Sequence, residues 1–485
     1  MTQTATSRNL IGGAWADGGT AVESLSPSTG RSIGQFMSAG AGEAAAAIAA
    51  ARTAFDSTSW SQDARARARA LNELADRLAE RVDEVAASLS REGGKLLWQT
   101  GWEIALSVEW LRYAAATAVT QAAGDHAEVA PGITFSSTPE PLGVAGIISP
   151  WNSPIILTVR ALGPALAAGC TVVAKLPGQT GLTNGLFAEV VAATKSLPAG
   201  VVNILTESGN AVAPALVESP HVDVISYTGS THVGRAIAAS GAKTLKRLNL
   251  ELGGKTPLVV FADANLDVVV PTIVTALTMM NGQFCVTGSR VLVQRSIADR
   301  LRAMLIEAVG SVKVGPSDDP ASQIGPLIDA ASARRVNQIV EEAAAYGKVL
   351  VRGGLVEDAA RPGGAYYQPS VVEVDRLDVP LVQEEVFGPV QTFEIFDDEA
   401  DAIRMANGTD FGLGAAVFTQ DELRARRVSQ AIKAGTVWTN CWGVLSERFE
   451  QGAFKQSGYG YLCGPRGIET FQNMRVYAHA APMQG

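Results

Sequence analysis

Gly143-Val-Ala-Gly-Ile-Ile148 is a short, wholly apolar run that leads straight into Ser149-Pro-Trp-Asn-Ser-Pro154. Runs of similar length and character recur at Thr171–Lys175, Val201–Leu205, Val222–Tyr227 and Lys246–Leu250, with amphipathic stretches of helical length between them. An unbroken apolar run bounded by turn residues fits a strand buried on both faces. Strands alternating with helices in this way predict a parallel sheet covered on both sides, and so an α/β fold.

Outward from this stretch the pattern changes twice. On the N-terminal side, Gly42 to Ala123 reads as mostly helical, and Ala64–Ser90 carries apolar positions three and four apart with charges between them. Short extended pieces with Pro and Gly connect Asp125 to Pro141. Beyond Thr256 a second α/β region alternates helices at Leu266–Met280, Ile297–Val309 and Ala330–Tyr346 with strands near Arg290–Val293 and Val349–Val351. The segment Thr470–His479 reads as extended, suited to joining a partner's sheet edge.

Composition narrows the function classes. The 485 residues suggest two to four domains, and 47% hydrophobic against 18% charged residues is ample for a large core. The net charge of −9, with no Lys/Arg-rich tract, leaves no electrostatic footprint for nucleic acid or anionic membrane. No apolar stretch reaches the roughly 18 residues needed to span a bilayer, and Met1–Arg8 lacks the apolar run of a signal peptide. Cys170, Cys285, Cys441 and Cys463 are scattered, which fits neither a disulfide framework nor a metal site. A cytoplasmic protein without a metal is the expectation.

Several residues could carry chemistry. Cys285, in Asn281-Gly-Gln-Phe-Cys-Val-Thr-Gly-Ser-Arg290, follows a helix-like run and a Gly-containing break. A thiol there can meet an open cleft, although an isolated cysteine is more often a small buried hydrophobe. No histidine forms a constellation with it in the sequence, so a carboxylate is the base to look for. Glu251, in Leu250-Glu-Leu-Gly-Gly-Lys-Thr-Pro257, ends an apolar strand, where apolar walls would raise its pKa toward neutrality. The plainer reading of Glu251 is a pair with Lys255. Asn152 sits in a turn stiffened by two prolines and a tryptophan, so its amide could donate to an oxyanion or simply form an Asx turn. In Ser226-Tyr-Thr-Gly-Ser-Thr-His-Val-Gly234, Gly229 permits close backbone approach, and Ser230 or Thr231 can cap a helix whose N-terminus favours phosphate.

Taken in order, these segments, with Glu384-Glu-Val-Phe-Gly-Pro389 and Lys455-Gln-Ser-Gly458, resemble the aldehyde dehydrogenase superfamily along nearly the whole chain. The resemblance implies a Rossmann-like parallel-sheet domain for NAD(P) at 1–122 and 142–252, and an α/β catalytic domain at 253–452. It also implies a small β bridging element at 123–141 and 453–485, through which homodimers or homotetramers form. By the same resemblance Cys285 attacks the aldehyde, Asn152 and the Cys285 N–H hold the oxyanion, and Glu251 activates the water that releases the acid. Lys175 looks like the adenosine-ribose contact, Gly229 and Ser230 the pyrophosphate contacts, and Val233 the adenine contact. Glu385 and Phe387 match the nicotinamide-ribose carboxylate and the ring beside it, with Ser149, Trp151, Thr228 and Leu252 along the same cofactor.

Three departures from the family pattern carry further expectations. Gly178 stands where relatives often have an acidic residue, and losing that carboxylate predicts that NADP is accepted beside NAD. Ala161 and Leu462 replace a Lys and a Glu thought to form a proton relay, so Glu251 should work without one. Ser153 replaces a common aromatic residue, which predicts a wider entrance flanked by Leu157, Arg160 and Phe284. The pattern is similar to benzaldehyde- and vanillin-type enzymes, making an aromatic aldehyde the first expectation. A semialdehyde whose carboxylate meets Arg160 or Arg448 is the second. A CoA-acylating enzyme, a cofactor-free thiol hydrolase and a catalytically retired binding protein are the readings that Glu251, the nucleotide loop and the intact Cys285–Glu251–Asn152 set argue against.

Overall fold

The computed structural model describes residues 6–121 and 124–480, so the expected domain boundary at 122/123 lies outside the described residues. The five apolar runs are parallel strands at the centre of an eight-stranded sheet. They are observed as Val144–Ile148, Thr171–Pro177, Val202–Glu207, Val224–Thr228 and Arg247–Glu251. Their side chains are almost all buried, as expected for strands covered on both faces. The sheet is not purely parallel, because Asn9–Ile11, Ala14–Ala16 and Gly458–Tyr459 add antiparallel at its edges. Helices at Ala41–Ser57, Ala64–Ala79, Val82–Gly93 and Leu97–Thr120 account for the helical N-terminal third, and the last of these packs on the Pro154–Ala168 helix.

A second, seven-stranded sheet holds Pro257–Val260, Arg290–Gln294 and Val390–Phe396 at its centre, parallel to one another and buried. Helices at Leu266–Thr278, Ala298–Gly310 and Ala330–Ala343 fall within a few residues of expectation. A three-stranded antiparallel sheet joins His126–Ala130, Ile133–Pro141 and Gln472–Ala480. Of the C-terminal segment, only Gln472–Ala480 lies in this sheet; Phe454–Lys455 and Gly458–Tyr459 pair with Phe411–Gly412 and with Arg247–Glu251 instead. Met474 and Val476, with Ile133 and Phe135 on the neighbouring strand, leave this sheet with an exposed apolar face.

Register decides where chemistry can sit. Ile148 pairs with Lys175 and with Tyr227, and Thr228 pairs with Glu251, so four candidate segments leave the sheet at the C-terminal ends of its parallel strands. The strand order runs outward in both directions from Val144–Ile148 and Val224–Thr228, which opens a crevice between the turns that follow them.

Candidate active site

The crevice is lined by Trp151, Asn152, Leu157, Thr228, Gly229, Ser230, Leu252, Glu385 and Phe387, and it ends at Cys285. On one wall, Ser230 caps the Thr231–Gly241 helix by accepting from the Val233 N–H at 3.4 Å, and the Gly229 N–H donates to the Glu251 carbonyl at 3.0 Å. Phe387 adopts a left-handed conformation, φ 51°, and meets Trp151 edge-on with ring centroids 5.4 Å apart. Desolvation pushes the Glu385 carboxyl up to about 7, opposed by the Gly254 N–H that donates to it at 3.1 Å and by the Lys255 charge. The Gly-Gly pair is a matter of space. A Cβ on Gly254 would lie 2.4 Å from the Cys285 carbonyl oxygen, and one on Gly253 would lie 2.5 Å from Glu385 Oε2.

A second cavity meets the crevice at Cys285 and contains Glu251, Ser153, Leu157, Arg160 and Phe284. Its remaining wall is mostly aromatic and aliphatic, with Trp102 and Trp110 from the Leu97–Thr120 helix, Trp438 and Leu445. Burial pushes the Cys285 thiol up to about 11, and the Arg160 charge pulls in the other direction. The loop before it is strained: Met280 and Asn281 both have positive φ, 51° and 60°. Asn281 pins it, donating from Nδ2 to the carbonyls of Gly94 at 3.0 Å and Pro326 at 2.8 Å and accepting from the Gly325 N–H at 2.8 Å. Asn152 is buried, and its Nδ2 donates to the carbonyl of Gln283, two residues before Cys285, at 3.0 Å.

Glu251 differs from expectation in its surroundings. It is buried at the strand end, but the Arg160 guanidinium forms an ion pair with it. Arg160 also donates to Gln451 Oε1 at 2.7 Å and to Thr228 Oγ1 at 3.2 Å, while its Nε has no hydrogen-bond partner. Glu251 therefore meets a guanidinium and not purely apolar walls. Lys255 is not its partner; it is buried near Arg290 and Glu394, and desolvation brings it down to about 8. Ala161 and Leu462 are both buried, and the cation beside Glu251 comes from Arg160, the preceding residue on the same helix.

The matching family model, described as the aldehyde dehydrogenase family, covers residues 15–477. The chain belongs to the aldehyde dehydrogenase family. It is 35% identical to the mitochondrial succinate-semialdehyde dehydrogenase of Oryza sativa subsp. japonica over 96% of this chain and 88% of that one. It is also 35% identical to the 2-aminomuconic semialdehyde dehydrogenase of Homo sapiens, over 93% of each. A crystal structure of betaine aldehyde dehydrogenase from Staphylococcus aureus in complex with NAD+ superposes with a TM-score of 0.95 at 31% identity, covering 99% of this chain and 96% of that one.

Within this family member, the remaining expected positions separate. Ser149 is buried, and its hydroxyl accepts from Thr158 at 2.7 Å. Val233 is 41% exposed on the capped helix. Arg448 is exposed and lines neither cavity, so it is not brought to the site; the loop that carries it turns the residue outward. Besides the aromatic and aliphatic wall residues, two charged residues went unnoticed in the sequence. Arg335 lines the crevice near Glu385 and donates to the Val386 carbonyl at 2.8 Å. Glu207 ends the strand beside Lys175, with Oε2 lying 3.9 Å from Lys175 Nζ. Its Oε1 accepts from the Ala211 and Val212 N–H groups, while its buried Oε2 has no hydrogen-bond partner. Gly178 could not hold a side chain here, because a Cβ would lie 2.1 Å from Ser208 Oγ and 2.9 Å from Ser208 Cα.

These groups fit a dinucleotide. A capped helix N-terminus faces the crevice and Glu385 lines it, while Glu207, outside its lining at the end of a neighbouring strand beside Lys175, keeps an oxygen without a partner.

Proposed function

We propose that the protein oxidises an aldehyde to the carboxylic acid with NAD as the hydride acceptor. The observation that carries this is the placement of Cys285 where a crevice lined by a capped helix N-terminus and Glu385 meets an apolar cavity containing Glu251. Trp151, Thr228, Gly229, Ser230, Leu252, Glu385 and Phe387 would hold the cofactor, which when bound takes the hydride. Cys285 attacks the aldehyde carbonyl as its thiolate, the thiol proton having passed to solvent water. The Asn152 amide and the Cys285 N–H receive the oxyanion, a contribution on the order of 100- to 1000-fold in rate. Collapse of the oxyanion expels hydride and leaves a thioester on Cys285. Glu251 then takes a proton from water, which attacks the thioester, and the acid departs as the thiol is restored.

An aromatic or bulky apolar aldehyde is the substrate class this cavity favours, because Trp102, Trp110, Phe284 and Trp438 surround the space beside Cys285. A semialdehyde is the second reading. It is supported by Arg160 in the same cavity and by the names of the rice and human relatives. The exposed apolar face of the three-stranded sheet supports a homo-oligomer.

The test is steady-state oxidation of an aromatic, aliphatic and semialdehyde panel, for wild type and Cys285→Ala. Activity lost in the variant supports the reaction. A best rate on semialdehydes that collapses in Arg160→Met would move the assignment to the second class. No turnover on any aldehyde while NADH still binds would overturn the proposal.

A further inference from the structure

Lys95 and Glu103 are both almost fully buried, at 3% and 0% exposure, and the reaction as written uses neither. They form an ion pair, and their other hydrogen bonds converge on one short segment. Lys95 Nζ donates to the Asn152 carbonyl at 2.6 Å. Glu103 Oε1 accepts from the N–H groups of Ile155 at 3.1 Å and Ile156 at 3.4 Å. Those belong to the first turn of the Pro154–Ala168 helix, whose own cap residue, Ser153, makes no side-chain cap. The pair therefore holds the backbone at Asn152 itself and at the helix start three and four residues beyond it.

The residue before Lys95 reaches the other half of the site. The Gly94 carbonyl accepts from Asn281 Nδ2 at 3.0 Å, at the base of the strained loop that carries Cys285. Ser90 holds this turn by donating to the Lys95 carbonyl at 2.8 Å. One dipeptide thus touches the Asn152 turn through a side chain and the cysteine loop through its backbone. A buried ion pair is weak support for stability, since a well-packed apolar pair does as well or better. What an apolar pair could not do is fix the Asn152 carbonyl and the helix start relative to the nucleophile.

We propose that Lys95 and Glu103 are positioning residues that set the Asn152 amide at the height of the oxyanion beside Cys285. The inference rests on the role of Asn152 given above. An oxyanion donor works only within a few tenths of an ångström of the place where charge develops, so loosening its backbone lowers kcat more than it alters binding.

The test is a mutant cycle between the pair and Asn152. Lys95→Met/Glu103→Gln removes both charges at similar volume and leaves Gln an oxygen for the helix N–H groups. We expect kcat to fall about tenfold or more, and KM for aldehyde and the NADH dissociation constant to stay within about threefold. In an Asn152→Ala background the same exchange should cost less than about twofold, because the group it positions is gone. Equal losses in both backgrounds would overturn the clamp and leave a merely structural pair. A loss below about tenfold for Asn152→Ala alone would instead overturn the oxyanion role itself. Should the double exchange not fold, Glu103→Gln alone is read through the same cycle, and additivity there overturns the proposal equally.

Discussion

Replacing Glu207 with Gln keeps an oxygen for the Ala211 and Val212 N–H groups but removes the negative charge 3.9 Å from Lys175. If Lys175 meets the adenosine ribose, a 2′-phosphate drawn to it would come within about 5 Å of the Glu207 carboxylate. At an effective dielectric of about 20, each unit of phosphate charge is then opposed by about 3 kcal/mol. That corresponds to a factor of roughly 100 in affinity. Glu207 is buried, so solvent screens this little. Wild type should therefore favour NADH over NADPH, because Glu207 offsets the attraction of Lys175 for the phosphate, the opposite direction to that expected from Gly178 alone. Glu207→Gln should erase most of that ratio, chiefly by improving NADPH. Fluorescence titration with NADH and NADPH measures both, and 2′-AMP against 5′-AMP isolates the phosphate. Equal affinities in wild type, or an unchanged ratio in Glu207→Gln, would refute the electrostatic reasoning.

Other consequences can be checked separately. Glu385, raised to about 7, should be mostly protonated at pH 6 and mostly ionised at pH 8. If only the ionised form accepts from a ribose hydroxyl, NADH affinity should improve about tenfold across that window, and Glu385→Gln should flatten the profile. A thiol near pKa 11 is about one-thousandth ionised at pH 8, so iodoacetamide should label Cys285 slowly in the free protein, with the rate climbing about tenfold per pH unit up to about pH 10. Arg160→Met should slow labelling further at every pH; a plateau below pH 9, read by peptide mass spectrometry, would contradict this. Glu251→Gln should release one burst of NADH per active site and then nearly stop, because the thioester forms but is not hydrolysed. Steady turnover within about tenfold of wild type would remove Glu251 from the base role.

The parallel strands were legible because burial on both faces leaves an apolar run that needs no partner to be recognised. Val144–Ile148 and its neighbours were located to within about two residues on that signal alone. The antiparallel additions were not, since Asn9–Ile11 and Gly458–Tyr459 are very short and pair with strands about 200 residues away. Residue type and turn chemistry made Cys285, Glu251 and Asn152 candidates with plainer readings beside them, and only the order of the motifs and the resemblance it carries gave them roles; the structure brings them around two joined cavities. What touches them could not be read in the same way. Arg160 meets Glu251 only because a helix packs across the end of a strand, and Trp102 and Trp110 belong to a helix whose pattern announces nothing beyond packing. Glu207 had a local signal, a carboxylate closing an apolar strand in Thr206-Glu-Ser-Gly209. Its importance depends on register, which sets it opposite Pro177, two residues past Lys175. Arg448 failed for the converse reason, because loop sequence does not say which way a side chain faces.

The position of Cys285 at the meeting of the two cavities also governs traffic. On the proposed reaction, hydride would leave on one side of that sulfur while the aldehyde arrived on the other, so neither need pass the other. A crevice emptied of its nucleotide would open onto the acylated sulfur and give water a way in, and one cysteine would then serve two successive reactions without the acyl group having to move.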